Sequence, residues 1–360
     1  VTEPLSRATR PRGDRRHPLS DYAELLEAVK TAGLLRRRPG HYLTLSAVVV
    51  ALLATALTLA ALAAAFWVEL VLAAVSGVLL AQLGFIAHEA SHRQVFDSGP
   101  ANDRFGRVVG CLLVGISYGW WKGGHARHHA NPNTIGKDPS IEAGALVHTE
   151  EDASGARGAL SLYYRHQAAL VFLLLPLAGL NLHVQSLRSV FSRHHPDHRV
   201  SELLMLVTRN GLLVAFLFTT LPAGWAFAFL GVQIGVFGVC TASSFIPNHV
   251  GMPMIAKGAR VDYLHRQVLT SRNIAGGPAL TMWMGGLDLQ IEHHLFPSMP
   301  RPALRSARTI TKEFCEARGI TYTEVSFLRG WVDVVRFLRT TGLRAGLRSS
   351  GCPTASQLGR

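Results

Sequence analysis

The sequence predicts an all-α integral membrane protein: two transmembrane helical hairpins, four spans in all, with a cytoplasmic helical cap that holds a metal site. Three observations lead there. Apolar residues concentrate in long runs near 42–87 and 203–247. Only 16% of the residues are charged, against roughly 25% in soluble globular proteins. Seven of the 17 histidines fall in three tight clusters, each at an expected membrane–cytoplasm boundary.

Residues 1–41 form a polar, Arg-rich cytoplasmic arm with one amphipathic stretch near Leu19–Leu35. The arm is too long and too polar for a cleaved secretory signal. The first span is expected over 42–67, which as a helix covers roughly 39 Å, more than the roughly 30 Å hydrocarbon core. A tight turn around Phe66–Glu69 leads into the second span, 70–87. A second hairpin is expected over 203–221 and 224–247, turning at Pro222–Ala223–Gly224. Arg209 and Asn210 lie inside its first arm, so Arg209 must face protein or snorkel to the interface.

Two shorter apolar stretches, 107–118 and 168–180, have 12 and 13 residues, and the second contains Pro176. Such lengths favour interfacial, re-entrant or buried helices. Parity agrees, because two full hairpins keep every histidine cluster on one side of the membrane. Basic residues flank the apolar runs, and they make that side the cytoplasm for the clusters and both termini. Beyond Phe296, helices are expected over 302–318, stopped at Gly319, and over 324–341. The division is thus an arm at 1–41, a membrane domain at 42–345 and a disordered tail at 346–360.

The net charge of +13 fits the inner face of a membrane protein, and no nucleic-acid motif accompanies it. Cys111, Cys240, Cys315 and Cys352 have the spacing of neither a zinc site nor a disulfide framework, so reduced thiols are expected.

The clusters are His88-Glu-Ala-Ser-His92, His125-Ala-Arg-His128-His129 and Gln290-Ile-Glu-His293-His294. The i, i+4 spacing of His88 and His92 puts both rings on one helix face. An HH pair is expected by chance roughly once in a chain this rich in histidine, whereas HxxHH is expected only about 0.04 times. Imidazole suits iron, copper, zinc and nickel. About eight nitrogen donors are too many for one ion and suit two, with positions left open. A zinc site would use three or four ligands and often cysteine. The stretch His194, His195 and His198 reads as a solvated loop, and His148, His166 and His183 carry no role.

These motifs resemble the membrane fatty acid desaturase family, in the branch of acyl-lipid and front-end enzymes whose third box opens with Gln. The segments HARHHANPNTIGKDPSIE, GGLDLQIEHHLFPSMPR and FCEARGITY are similar to the family's second box, third box and downstream pattern, and the likeness extends over roughly 45–340. The resemblance implies two iron ions held by His88, His92, His125, His128, His129, His293 and His294, and by His249, which matches a histidine the family carries after its last span. It makes Gln290 and Asn248 neighbours of the metals, and Glu89, Asp138 and Glu292 acceptors that orient imidazole N–H groups.

The implied activity is O2-dependent desaturation of a long fatty acyl chain carried on lipid, coenzyme A or acyl carrier protein, held in an apolar tunnel. Trp120 and Trp121 either line that tunnel or belong to an interfacial aromatic belt. No HPGG heme motif is present and the arm is too short for a cytochrome b5 domain. A separate electron donor, a ferredoxin or a flavin reductase, is therefore implied, with Arg301, Arg305 and Arg308 as a docking surface. Membrane lipid is a partner and nucleic acid is not. The setting is the cell membrane, and a bacterial origin is expected. A hydroxylase or ketolase of a lipid, alkane or carotenoid is the alternative on the same fold, and a histidine-rich metal transporter a distant one.

Overall fold

The computed structural model describes residues 20–193 and 198–346. The expected loop histidines His194 and His195, the first 19 residues and the tail from 347 lie outside them. The described residues are mostly helical: α1 Asp21–Thr31, α2 Pro39–Leu62, α3 Phe66–Ser91, α4 Gly99–Arg107, α5 Tyr118–Ala130, α6 Glu150–Gly155, α7 Gly158–Arg165, α8 Gln167–Phe191, α9 Arg199–Thr220, α10 Ala223–His249, α11 Tyr263–Leu269, α12 Pro278–Trp283, α13 Gln290–Leu295, α14 Arg301–Ala317 and α15 Phe327–Gly342. A parallel pair, β1 Asn273–Ala275 with β2 Glu324–Ser326, joins the segment ahead of the third box to the start of α15. Glu324–Ser326 was expected to be helical; the strand pairing takes it instead.

Five described helices, α2, α3, α8, α9 and α10, are long and apolar enough to cross a membrane. Leu52, Leu59, Val71, Leu173, Phe218 and Phe227 on them are exposed, an arrangement that lipid accommodates and water does not. The break between the first two falls at Ala63–Ala65, ahead of the expected Phe66–Glu69 turn, because Phe66 to Glu69 already form the first turn of α3. Both α3 and α10 run past the expected span ends to His88 and His249. Helix continuity therefore carries these imidazoles from the bilayer to the site.

The stretch 168–180 also extends further than expected. Helix α8 continues through Asn181, His183, Gln185 and Arg188 to Phe191, 25 residues in all, with Pro176 inside it. Polar residues ended the apolar run but not the helix. It crosses α10 closely: a side chain at Gly179 would strike the Ile234 carbonyl, and one at Gly238 the backbone of Leu175 and Pro176. The start of α8 is tied to the cap, since Gln167 donates to the Val147 and Leu338 carbonyls at 3.2 and 3.0 Å. Near its end, Ser186 Oγ accepts the Ser117 amide at 2.6 Å, beside the start of α5.

The stretch 107–118 is a one-step detour. A π-helix, Val108–Val114, is turned back by Gly115 at φ +92, and Ser117 caps α5. Arg209 faces this tip as protein, its Nε donating to the Leu113 carbonyl at 3.4 Å and its Nη1 to Asn210. Buried Glu202 holds the same corner, accepting from Ser117 Oγ at 2.6 Å, the Gly119 amide at 3.0 Å and Arg107 Nε at 3.3 Å.

The amphipathic stretch of the arm is α1. Its Leu25 and Val29 bury against Ile291, Leu295, Phe296 and Leu304, so this segment packs around the third box.

Candidate metal centre

Three helices bring the boxes together. His88 sits in the last turn of α3 and His92 caps its end. His125, His128 and His129 lie in the last turns of α5. The third box is the six-residue α13, too short to stand alone. Asn273 clamps it, with Oδ1 accepting the Ile291 amide at 2.9 Å and Nδ2 donating to Glu292 Oε2 at 2.8 Å.

The imidazoles assemble in two adjoining groups: His88, His92, His125, His129 and His293, and His128, His249 and His294. Within each group the nitrogens lie within 4.8 Å of one another. His125 Nε2 is 3.0 Å from His88 Nε2 and 2.9 Å from His92 Nε2. Two nitrogens bound at about 2.1 Å and a right angle to one first-row ion would be about 3 Å apart. Both ring nitrogens of His129, and Nε2 of His293 and His294, are buried without a hydrogen-bond partner. Each such orphan costs about 1–3 kcal/mol, a cost that a bound cation removes. The donors thus fit metal ions: imidazole nitrogen throughout, converging, with those of His129, His293 and His294 otherwise unsatisfied.

Their protonation agrees. Burial pushes His125, His129, His293 and His294 well below the usual imidazole range. His92 falls to about 3 through burial, with Lys122 adding to it. Neutral imidazole is the metal-binding form.

The outer contacts select which nitrogen faces inward. Asp138 meets His128 Nδ1 at 2.9 Å and also accepts the Asn133 and Ser140 amides at 2.8 and 2.9 Å. Burial raises the Asp138 pKa, but these bonds outweigh it and hold the carboxyl below its usual range. His249 Nδ1 meets the Thr270 carbonyl at 3.1 Å, and His294 Nδ1 meets Gln267 Oε1 at 3.0 Å. Each bond leaves Nε2 for the centre. Gln290 stands 2.9 Å from His249 Nε2, and Asn248 Nδ2 holds its Oε1 at 3.1 Å.

Of the three expected carboxylate acceptors, Asp138 alone bonds an imidazole. Glu89 instead takes a bidentate pair with Arg301 at 2.6 and 2.8 Å. Glu292 accepts from Asn273 and Tyr322 Oη, and burial pushes it up to about 7. Both carboxylates lie on helix faces turned away from the rings beside them. The expected docking trio changes accordingly. Arg301 is half-buried and paired, Arg308 pairs with Glu324, and Arg305 stays exposed, donating to Thr281 Oγ1. Sequence reasoning missed Gln267 and the Thr270 carbonyl, which no motif marks.

An apolar cavity of about 600 Å³ runs past both groups. His88, His125, His128 and His249 edge it, and Val114, Ile141, His148, Leu182, Phe237 and Phe337 line it. Trp120 and Trp121 line it, and Trp121 stacks on His125 with ring centroids 4.4 Å apart.

The profile of the fatty acid desaturase family matches residues 64–326, nearly three quarters of the chain. The chain belongs to the fatty acid desaturase family. It is similar to a Delta(8)-fatty-acid desaturase of Helianthus annuus, 27% identical over 345 residues covering 90% of this chain and 74% of that protein. It is also similar to an acyl-lipid (9-3)-desaturase of Borago officinalis and to the Delta(5) fatty acid desaturase fat-4 of Caenorhabditis elegans. Each of these is 28% identical, over 75% of this chain and 63% of the relative. The desaturase is therefore an enzyme of fatty acid desaturation. These named relatives are eukaryotic and lend the expected bacterial origin no support.

Proposed function

We propose that the desaturase uses O2 and two iron ions, held by the eight histidines, to introduce a double bond into a long fatty acyl chain. The observation that carries this reading is the convergence of eight imidazoles in two groups, four of them on the wall of one apolar cavity. Iron held by these histidines would supply the activation of O2 needed to remove two hydrogens from adjacent methylenes. The protein's own part is positional. Phe85, Phe237, Phe245 and Ile246 give the acyl chain a dry wall, and Trp121 holds the His125 ring against it. Asp138, Thr270 and Gln267 fix the tautomers of His128, His249 and His294, and Asn248 orients Gln290.

Four spans, α2, α3, α9 and α10, cross the membrane in this reading. The contacts of α8 support its lying on the histidine side, because its start bonds the cap and its end bonds the start of α5. Basic flanks put that side in the cytoplasm, where a ferredoxin with its reductase supplies electrons. The acyl carrier is a lipid, coenzyme A or acyl carrier protein.

The test is the fatty acid profile of a host expressing the gene, with double bonds located by mass spectrometry, together with metal analysis of the purified protein. A new double bond and about two irons per chain are expected. A hydroxylated or oxo product would favour the alternative chemistry on the same site, and an active preparation holding zinc alone would end the di-iron reading.

A further inference from the structure

A second, separate cleft reaches the five-histidine group. Its volume is about 190 Å³, room for about six waters at roughly 30 Å³ each. It is lined by Ser91, Lys122, Ala126 and Pro297 around His92, His125 and His129. Only His125 is shared with the large cavity; His92 and His129 line the cleft alone. The cleft therefore meets the group from a different side from the acyl cavity.

Its walls are unlike those of the large cavity. Ser91 and Ala126 are small, Ala126 is exposed, and the compact ring of Pro297 completes the wall. His92 is the one half-buried member of its group. Lys122 is partly exposed and paired with Asp103, which puts a hydrated ammonium at the rim.

The reaction needs such a route. Each O2 takes up four electrons, two with the hydrogens of the two broken C–H bonds and two from the one-electron donor protein. With two protons from solvent it leaves as two waters, while the carbons keep a new π bond. An acyl chain lying in the large cavity occupies that path for as long as the chemistry lasts.

We propose that the Ser91–Lys122–Ala126 cleft is the port by which O2 and protons enter and water leaves while the acyl chain is bound. This rests on the O2-dependent reading above.

The test uses Ala126→Cys in a Cys352→Ser background, since Cys111, Cys240 and Cys315 are buried. The introduced thiol is capped reversibly with a methyl or a benzyl thiosulfonate. Azide uptake by the iron-loaded, acyl-bound protein is then followed by absorbance, and the KM for O2 is measured separately. The benzyl cap should slow azide uptake and raise the KM for O2 by about tenfold, with the acyl KM unchanged, since only access is altered. The methyl cap should do little, and thiol reduction should restore both values. Equal azide rates in capped and uncapped protein would overturn the port. Uncapped protein that makes product without consuming O2 would instead overturn the O2 reading, which the azide rates do not depend on.

Discussion

Replacing Asp138 separates the ordering of a metal ligand from the stability of the loop that orders it. Asp138 is fully buried and serves three donors: His128 Nδ1 and the amides of Asn133 and Ser140. Asp138→Asn keeps the shape and one acceptor oxygen but removes the charge that holds His128 in its tautomer. Loss of such an outer contact weakens metal binding by about 10–100-fold, or about 1.4–2.7 kcal/mol. Asp138→Ala removes the acceptor of both amides as well, at about 1–3 kcal/mol for each orphaned donor, so the fold itself should lose about 2–6 kcal/mol. The assay is iron retention against a graded chelator, read beside thermal unfolding in detergent. Asp138→Asn, whose one oxygen cannot serve both amides, should lose iron at lower chelator concentration and unfold only slightly below the wild type, whereas Asp138→Ala should unfold well below both. Wild-type iron retention in Asp138→Asn would refute the claim that this carboxylate sets the His128 ligand.

His249→Ala should lose iron and activity together, whereas Gln290→Ala should lower activity by about 10–100-fold with iron retained; full iron in His249→Ala would remove it from the ligand set. Arg301→Leu strands the buried Glu89 carboxylate and should destabilise the protein by about 3–5 kcal/mol, with Glu89→Gln in the same chain recovering most of it. Thermal unfolding in detergent measures this, and an unchanged midpoint in the single variant would show the pair to be inert. Reporter fusions at residues 100, 150 and 255 should all report the cytoplasm; an outside signal at 150 alone would mean that the 107–118 detour crosses the membrane.

What the sequence determined by itself is what local spacing and composition encode. HxxxH on a helix end and HxxHH on another place donors one turn apart wherever the helix goes, and runs of apolar residues mark the long helices α2, α3, α9 and α10. The tertiary structure decided whatever depends on residues far apart in the chain. Glu89 was legible as an acid beside a histidine, but its partner Arg301 lies 212 positions on, and the bond turns it away from the imidazoles. Gln267 and the Thr270 carbonyl hold His294 and His249, yet a glutamine and a backbone oxygen carry no mark of that role in a sequence. The reach of α8 was hidden because helix length depends on backbone bonding and on its close crossing of α10 at Gly179, while the apolar run reports only what faces lipid. The two cavities are the limiting case: empty space is made by the packing of every wall at once, so no single segment encodes it.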